Sequence, residues 1–222
     1  MTVGDRVVVG APPRVAGLLL AAGSGRRYGQ PKALVDTGAG PWVLTSLAVL
    51  QACDVLVVVV GAAADDVAAV LPRGVRVVVN PDHASGMGSS LRVGLTALSA
   101  AAGPRTRADP SAGLAAGEDP PFTACDAAVV HLVDLPGVRS GAVARLMAAA
   151  GSASASHRAV LRAAYGGVPG HPVVLGRDHW AGVIESASGD SGARNYFRGH
   201  PPGLVECGDL GCGQDVDLPP AR

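Results

Sequence analysis

Four short apolar runs with β-branched residues, Val15–Leu20, Val55–Val60, Val75–Val79 and Val129–Val133, are each bounded by Gly, Pro, Asn or Asp. Runs this short suit buried strands, because a helix needs about ten residues or more. Between them lie stretches of helical composition, residues 41–52, 63–71, 89–102 and 141–150. Strands that are largely apolar and alternate with helices predict an α/β chain, a mostly parallel sheet covered on both faces in three layers. Such sheets bind ligands beyond the carboxyl ends of their strands. Residues 21–32, Gly61, 80–90 and 134–137 are therefore the first candidates for a site.

At 222 residues the chain suits one large domain, expected over 14–218 with flexible tails at 1–13 and 219–222. Residues 103–124, rich in Gly, Pro, Ala and Asp, predict a surface excursion. The formal net charge is zero and aromatics make up 3% of the chain, which gives little support to a nucleic-acid partner. The apolar run Val55–Val60 is far below the roughly 20 residues that span a bilayer, and the amino terminus lacks a signal-peptide pattern. A soluble cytoplasmic protein with small-molecule substrates is expected, without a membrane partner. The four cysteines, with no Cys-x-x-Cys pair, are read as reduced structural thiols rather than as a metal or redox pair at Cys207 and Cys212.

Lys32 is the only lysine among eighteen basic residues, and it closes Leu20-Ala-Ala-Gly-Ser-Gly-Arg-Arg-Tyr-Gly-Gln-Pro-Lys32 just after the first strand. A glycine-rich turn there directs backbone N–H groups at phosphate oxygens, and a compact ammonium adds a point charge. The plainer alternative is a tight strand-to-helix turn. Asp134 ends the fourth strand, where a carboxylate suits magnesium shared with substrate phosphates, or caps a turn. Asn80-Pro-Asp-His-Ala-Ser-Gly-Met-Gly-Ser-Ser-Leu91 reads as a hinged loop with a serine helix cap, or as a segment with donors and acceptors for a base and ribose. His83, His131, His157, His179 and His200 show no metal-ligand spacing and are read as surface or packing residues.

The run from Leu20 resembles the signature Leu-Ala-Ala-Gly-x-Ser-x-Arg-Met-Gly-x-Pro-Lys of the molybdenum cofactor nucleotidyltransferases. It agrees at Leu20, Ala21, Ala22, Gly23, Arg27, Gly29, Pro31 and Lys32, and has Gly25 for the serine and Tyr28 for the methionine. Further blocks follow in the family's order: Gly86-Met-Gly-Ser-Ser90, Val133-Asp-Leu-Pro136, Pro169-Gly-His-Pro172 and Asp215-Val-Asp-Leu-Pro219. The resemblance implies a Rossmann-like nucleotidyltransferase fold. It also implies a nucleotide site at Leu20, Ala21, Ala22, Gly23, Ser24, Gly25, Lys32, Asn80, Gly88, Ser89 and Ser90. Lys32, Arg27 and Asp134 would be catalytic, and Asp134 and Asp217 would hold magnesium, with Asp215 beside them. The acceptor would meet Pro169, Gly170, His171 and Pro172, and Arg194 where its loop is not merely a turn.

Leu-Ala-Ala-Gly, rather than the Leu-Ala-Gly-Gly usual in the guanylyl branch, is similar to the cytidylyl branch. The implied reaction transfers CMP from CTP to molybdopterin and releases pyrophosphate, with a molybdoenzyme as a further candidate partner. Transfer of another nucleotidyl group to a sugar or polyol phosphate, or a non-catalytic cofactor carrier, are the alternatives.

Overall fold

The first strand, β1 (Val15–Ala21), is buried on both sides because helices cover both faces of the sheet in which it is an interior strand. The computed structural model describes residues 12–100 and 124–216. In chain order the other elements are α1 (Trp42–Val49), β2 (Val55–Val60), α2 (Ala64–Val70), β3 (Arg76–Val79), α3 (Met87–Ala100) and β4 (Ala127–Leu132). They are followed by α4 (Ser140–Ala150), α5 (Ala153–Ser156), β5 (Val160–Tyr165), β6 (Val168–Gly176), α6 (Trp180–Ser186), α7 (Arg194–Phe197) and β7 (Gly203–Glu206). The strands form one sheet in the order β3-β2-β1-β4-β6-β5-β7. Every neighbouring pair is parallel except those made by β6, which is antiparallel to β4 and to β5.

Alternation along β1 divides the core. Leu19 and Ala21 join Trp42, Val43, Leu47, Val67, Val143 and Leu146 under α1, α2 and α4. Leu18 and Leu20 join Leu91, Leu95, Leu98, Trp180 and Val183 under α3 and α6. Each such aliphatic side chain contributes about 1.5–3 kcal/mol when fully buried. The three-layer architecture predicted from the four apolar runs is therefore present, with strand ends within two residues of expectation. The excursion expected at 103–124 lies outside the described residues except for Ala124, as do the tails save Pro12 and Pro13.

The sequence predicts a helix opening at Ser89–Ser90, but α3 begins at Met87. Gly86, at φ 107°, ends a 3-10 turn over His83–Ser85 and starts the helix two residues early. The serines thus lie inside its first turn. Strands β5 and β6 have no counterpart among the four predicted runs. They form a hairpin around Gly166 and Gly167 whose return strand carries Pro169, Gly170 and Pro172, residues that normally argue against a strand.

His131 on β4 is fully buried, and neither ring nitrogen has a hydrogen-bond partner. It lies on the same face as Val129, toward α1 and α4. Burial pushes its pKa down to about 3, with a smaller contribution from nearby His171. Between that value and about 6.5 the unfolded chain binds a proton that the folded chain does not, so stability rises with pH across this window. The contribution is complete above the unfolded value and is lost as pH falls. We expect roughly 2 kcal/mol of destabilisation at pH 5 relative to pH 7 from this residue. Urea unfolding of the wild type and His131→Leu at both pH values checks it: the variant should show a flatter pH dependence.

Candidate active site

Beyond the carboxyl ends of β1 and β4 the chain folds around two adjoining clefts. The first, of ≈ 400 Å³, is lined by Ala22, Gly23, Ser24, Gly25, Arg26, Arg27 and Lys32, with His83, Gly86, Met87, Ser90 and Asp134 opposite. The second, of ≈ 470 Å³, takes Pro169, Gly170 and His171 from β6, Arg162 from β5, Arg194 and Phe197 from α7, and Asp215. Leu20, Met87, Leu132, Asp134 and Asp190 belong to both walls. Both volumes fall in the usual range for small-molecule sites.

The glycine-rich loop is built around Gly25. Its carbonyl accepts the N–H groups of Tyr28 and Gly29, both at 2.9 Å. With φ at 61°, Gly25 occupies the left-handed region, and a Cβ there would run into the Gln30 carbonyl. In this loop geometry the signature's serine would not fit. Tyr28, at the methionine position, packs edge-on against Trp42 with ring centroids 5.4 Å apart and ties the loop to the core.

The Lys32 ammonium and the Asp134 carboxylate, 102 residues apart in sequence, form an ion pair with Nζ 2.9 Å from Oδ2. Both are partly buried, with side chains 14% and 23% exposed. The backbone carbonyl of Asp134 accepts the N–H of Val216 at 3.0 Å, which brings the chain around Asp215 to the same point. Asp217 lies outside the described residues. Among the described residues no three His, Cys, Asp or Glu side chains gather closely enough to hold a metal ion. Asp134 and Asp215, both on the wall of the second cleft, are hard oxygen donors suited to magnesium if substrate phosphates and water complete its shell.

Not every predicted contact residue faces a cleft. Ala21 is buried beneath the loop, and Asn80 and Ser89 are buried outside the lining of either cleft. The Asn80 amide donates to the hydroxyls of Ser89 at 2.8 Å and Ser90 at 3.0 Å, and its oxygen accepts the Asp82 N–H at 3.0 Å. Ser90 is the member of the set that reaches the first cleft, and Asn80 holds it there. Pro172 is buried outside the second cleft, whereas Pro169, Gly170, His171 and Arg194 line it. Burial pushes the His171 pKa down to about 4 against a raising hydrogen bond to the Val130 carbonyl, so the ring is neutral at pH 7.

Gly88 also lies off both linings, for a steric reason. A Cβ there would stand 2.6–2.9 Å from the Ser188 backbone, the start of the loop that presents Asp190 to both clefts. We expect Gly88→Ala to displace that loop and to destabilise the fold by about 1–3 kcal/mol, read as a lowered midpoint in thermal or urea unfolding.

His83, expected as a surface or packing residue, Asp190 and Arg162 are among the lining residues that the sequence does not single out. His83 sits in the turn before α3, Asp190 in a loop read for Arg194 alone, and Arg162 on a strand whose turn-like surroundings hid it. No disulfide joins the cysteines among the described residues, where Cys53, Cys125 and Cys207 are buried and Cys212 is exposed. No helix among the described residues is long and apolar enough to cross a membrane.

Residues 17–204 match the family described as MobA-like NTP transferase domain. The chain is 34% identical over 220 residues to nicotine blue oxidoreductase of Paenarthrobacter nicotinovorans, covering 92% of this chain and 93% of that protein. The crystal structure of the Mycobacterium tuberculosis Rv0371c homologue from Mycobacterium sp. strain JC1 superposes with a TM-score of 0.65 at 28% identity, over 93% of this chain and 92% of that one. Rv0371c of Mycobacterium tuberculosis H37Rv in complex with manganese has a TM-score of 0.60 at 22% identity, over 93% and 91% of the two chains, a likeness of fold.

Proposed function

Because the chain belongs to the MobA-like NTP transferase domain family, and is by that membership a nucleotidyltransferase, we propose that it moves CMP from CTP to a molybdopterin-type acceptor. The observation that carries this reading is the common wall of the two clefts at Asp134, which suits a donor in one and an acceptor in the other. The base preference and the pterin acceptor rest on the resemblance of Leu20-Ala-Ala-Gly23 and Pro169-Gly-His-Pro172 to the cytidylyl branch.

The glycine-loop amides, Arg27 and Lys32 bind the triphosphate in the first cleft. An acceptor phosphate oxygen in the second cleft attacks the α-phosphorus, the bond to the β-phosphate bridging oxygen breaks, and pyrophosphate carries away the electron pair. The protein's work is alignment and charge stabilisation, since the reaction needs no covalent intermediate. Asp134 and Asp215 would hold magnesium, which when bound neutralises phosphate charge. Lys32 changes partner on binding, from the Asp134 carboxylate to a phosphate. Neutral His171 offers an uncharged edge to a flat acceptor.

Calorimetric titration of CTP, GTP, UTP and ATP, each with and without magnesium, tests the reading. Magnesium-dependent preference for CTP supports it and leads to a molybdopterin assay with pyrophosphate release as readout. Preference for another nucleotide moves the acceptor toward a sugar or polyol phosphate, and no nucleotide binding favours a cofactor carrier. One observation favours a second reading: the 34% identical relative is named an oxidoreductase. Under it the first cleft takes a redox dinucleotide, and tighter binding of a reduced nicotinamide dinucleotide than of any triphosphate would select it.

A further inference from the structure

Past the second cleft the wall continues into a shallow slot of ≈ 380 Å³ that shares Arg162, Pro169, Arg194 and Phe197 with it and adds Arg198 and Pro202. Three guanidinium groups therefore line one recess, and no carboxylate among the described residues lines it. Arg162 is half-buried, and its one hydrogen-bond partner among the described residues is the Gly170 carbonyl, 2.7 Å from Nε. Neither the Arg194 nor the Arg198 guanidinium has an ion-pair or hydrogen-bond partner among the described residues. Burial, and then the charge of Arg194, lower the Arg162 pKa.

Arg194 and Arg198 are exposed beside half-buried Arg162, so their like charges repel across one recess, and a bound anion reverses the sign of that contribution. Planar guanidiniums suit oxyanions through paired N–H donors. Pro169 and Phe197 line both the slot and the second cleft and give the two a shared apolar surface.

We infer that Arg162, Arg194 and Arg198 bind a second oxyanion of the acceptor, remote from the phosphate that reacts, so that the acceptor is an elongated molecule anionic at both ends with a flat or apolar body. This rests on the assignment of the second cleft to the acceptor. The slot anchors the far end of the molecule and the Asp134 end receives its nucleophile, so remote binding energy serves to align the reacting phosphate.

Inorganic phosphate is the probe, added to the full chain at constant ionic strength while thermal unfolding is followed. The background is Lys32→Ala, which weakens phosphate binding in the first cleft. Phosphate should raise the Tm of Lys32→Ala, and Arg198→Gln or Arg162→Gln added to it should raise the half-saturating concentration by about tenfold. Arg198 is exposed, so its variant remains informative if Arg162→Gln fails to fold. Absence of a phosphate response in Lys32→Ala, or an unchanged response in Arg198→Gln, overturns the inference. Triphosphate binding by the wild type, measured separately, decides the nucleotide reading, so either failure is visible alone.

Discussion

Asp134→Ala is expected to reduce turnover about a thousandfold or more while leaving a folded protein. The residue stands at the end of β4 on the wall between both clefts, and no other described carboxylate combines that place with an ion pair to Lys32. Its removal takes away the carboxylate proposed to hold magnesium and breaks one ion pair of the lysine ammonium. The lost ion pair should cost about 1–3 kcal/mol of stability, less than a domain's usual total. Asp134→Asn separates charge from shape, because the amide keeps the hydrogen-bond geometry and lacks the charge. Pyrophosphate release at limiting and saturating magnesium, with circular dichroism as the fold control, decides the case. Near-normal turnover by a folded Asp134→Asn protein at limiting magnesium would remove the residue from the site.

Lys32→Ala should lower kcat/KM about a hundredfold or more, and Lys32→Arg should recover little of it. In the free protein the ammonium sits 2.9 Å from the carboxylate in a partly buried pair. A guanidinium is wider and directional, and it would have to fit between Asp134 and the loop that Gly25 holds. It would also bind the carboxylate through two N–H groups and release it less readily to a metal. The two substitutions therefore fail differently. Alanine weakens triphosphate binding, whereas arginine keeps binding and loses magnesium response. Titration of CTP at several magnesium concentrations separates them, and equal turnover by wild type and Lys32→Arg would refute a role for a point charge.

Much of the first cleft's lining was legible in the sequence because its signals are local. The valine-rich runs preceding Gly61, Asn80 and Asp134 are strands by composition, and Gly23 to Lys32 follows the leucine-containing run Val15–Leu20. The second cleft was harder to read. Arg162 lies on a strand flanked by glycines and prolines, and its partner in the wall, Arg194, is 32 residues away, so only tertiary folding brings the two together. Asn80 and Ser89 show another limit. The residue types suit a base or ribose, yet their hydrogen-bonding capacity is largely used in fixing Ser90 and the turn before α3. Composition reports what a side chain is able to bond, and burial decides whether a ligand reaches it.

The division of the two linings along the chain has an evolutionary consequence. Apart from the residues at the shared wall and its edge, Leu132, Val133, Asp134 and Asp190, the first cleft is contributed by residues 20–90, whereas most of the second comes from residues 130–215. The hairpin of β5 and β6 joins the sheet beyond β4, and α7 follows it in the chain, so substitutions there alter the second lining and leave the glycine-rich loop of the first untouched. A scaffold partitioned in this way lets one lining change while the other keeps its shape. The segment from Val160 to Glu206 is accordingly the natural unit to transplant between relatives when a new acceptor is wanted.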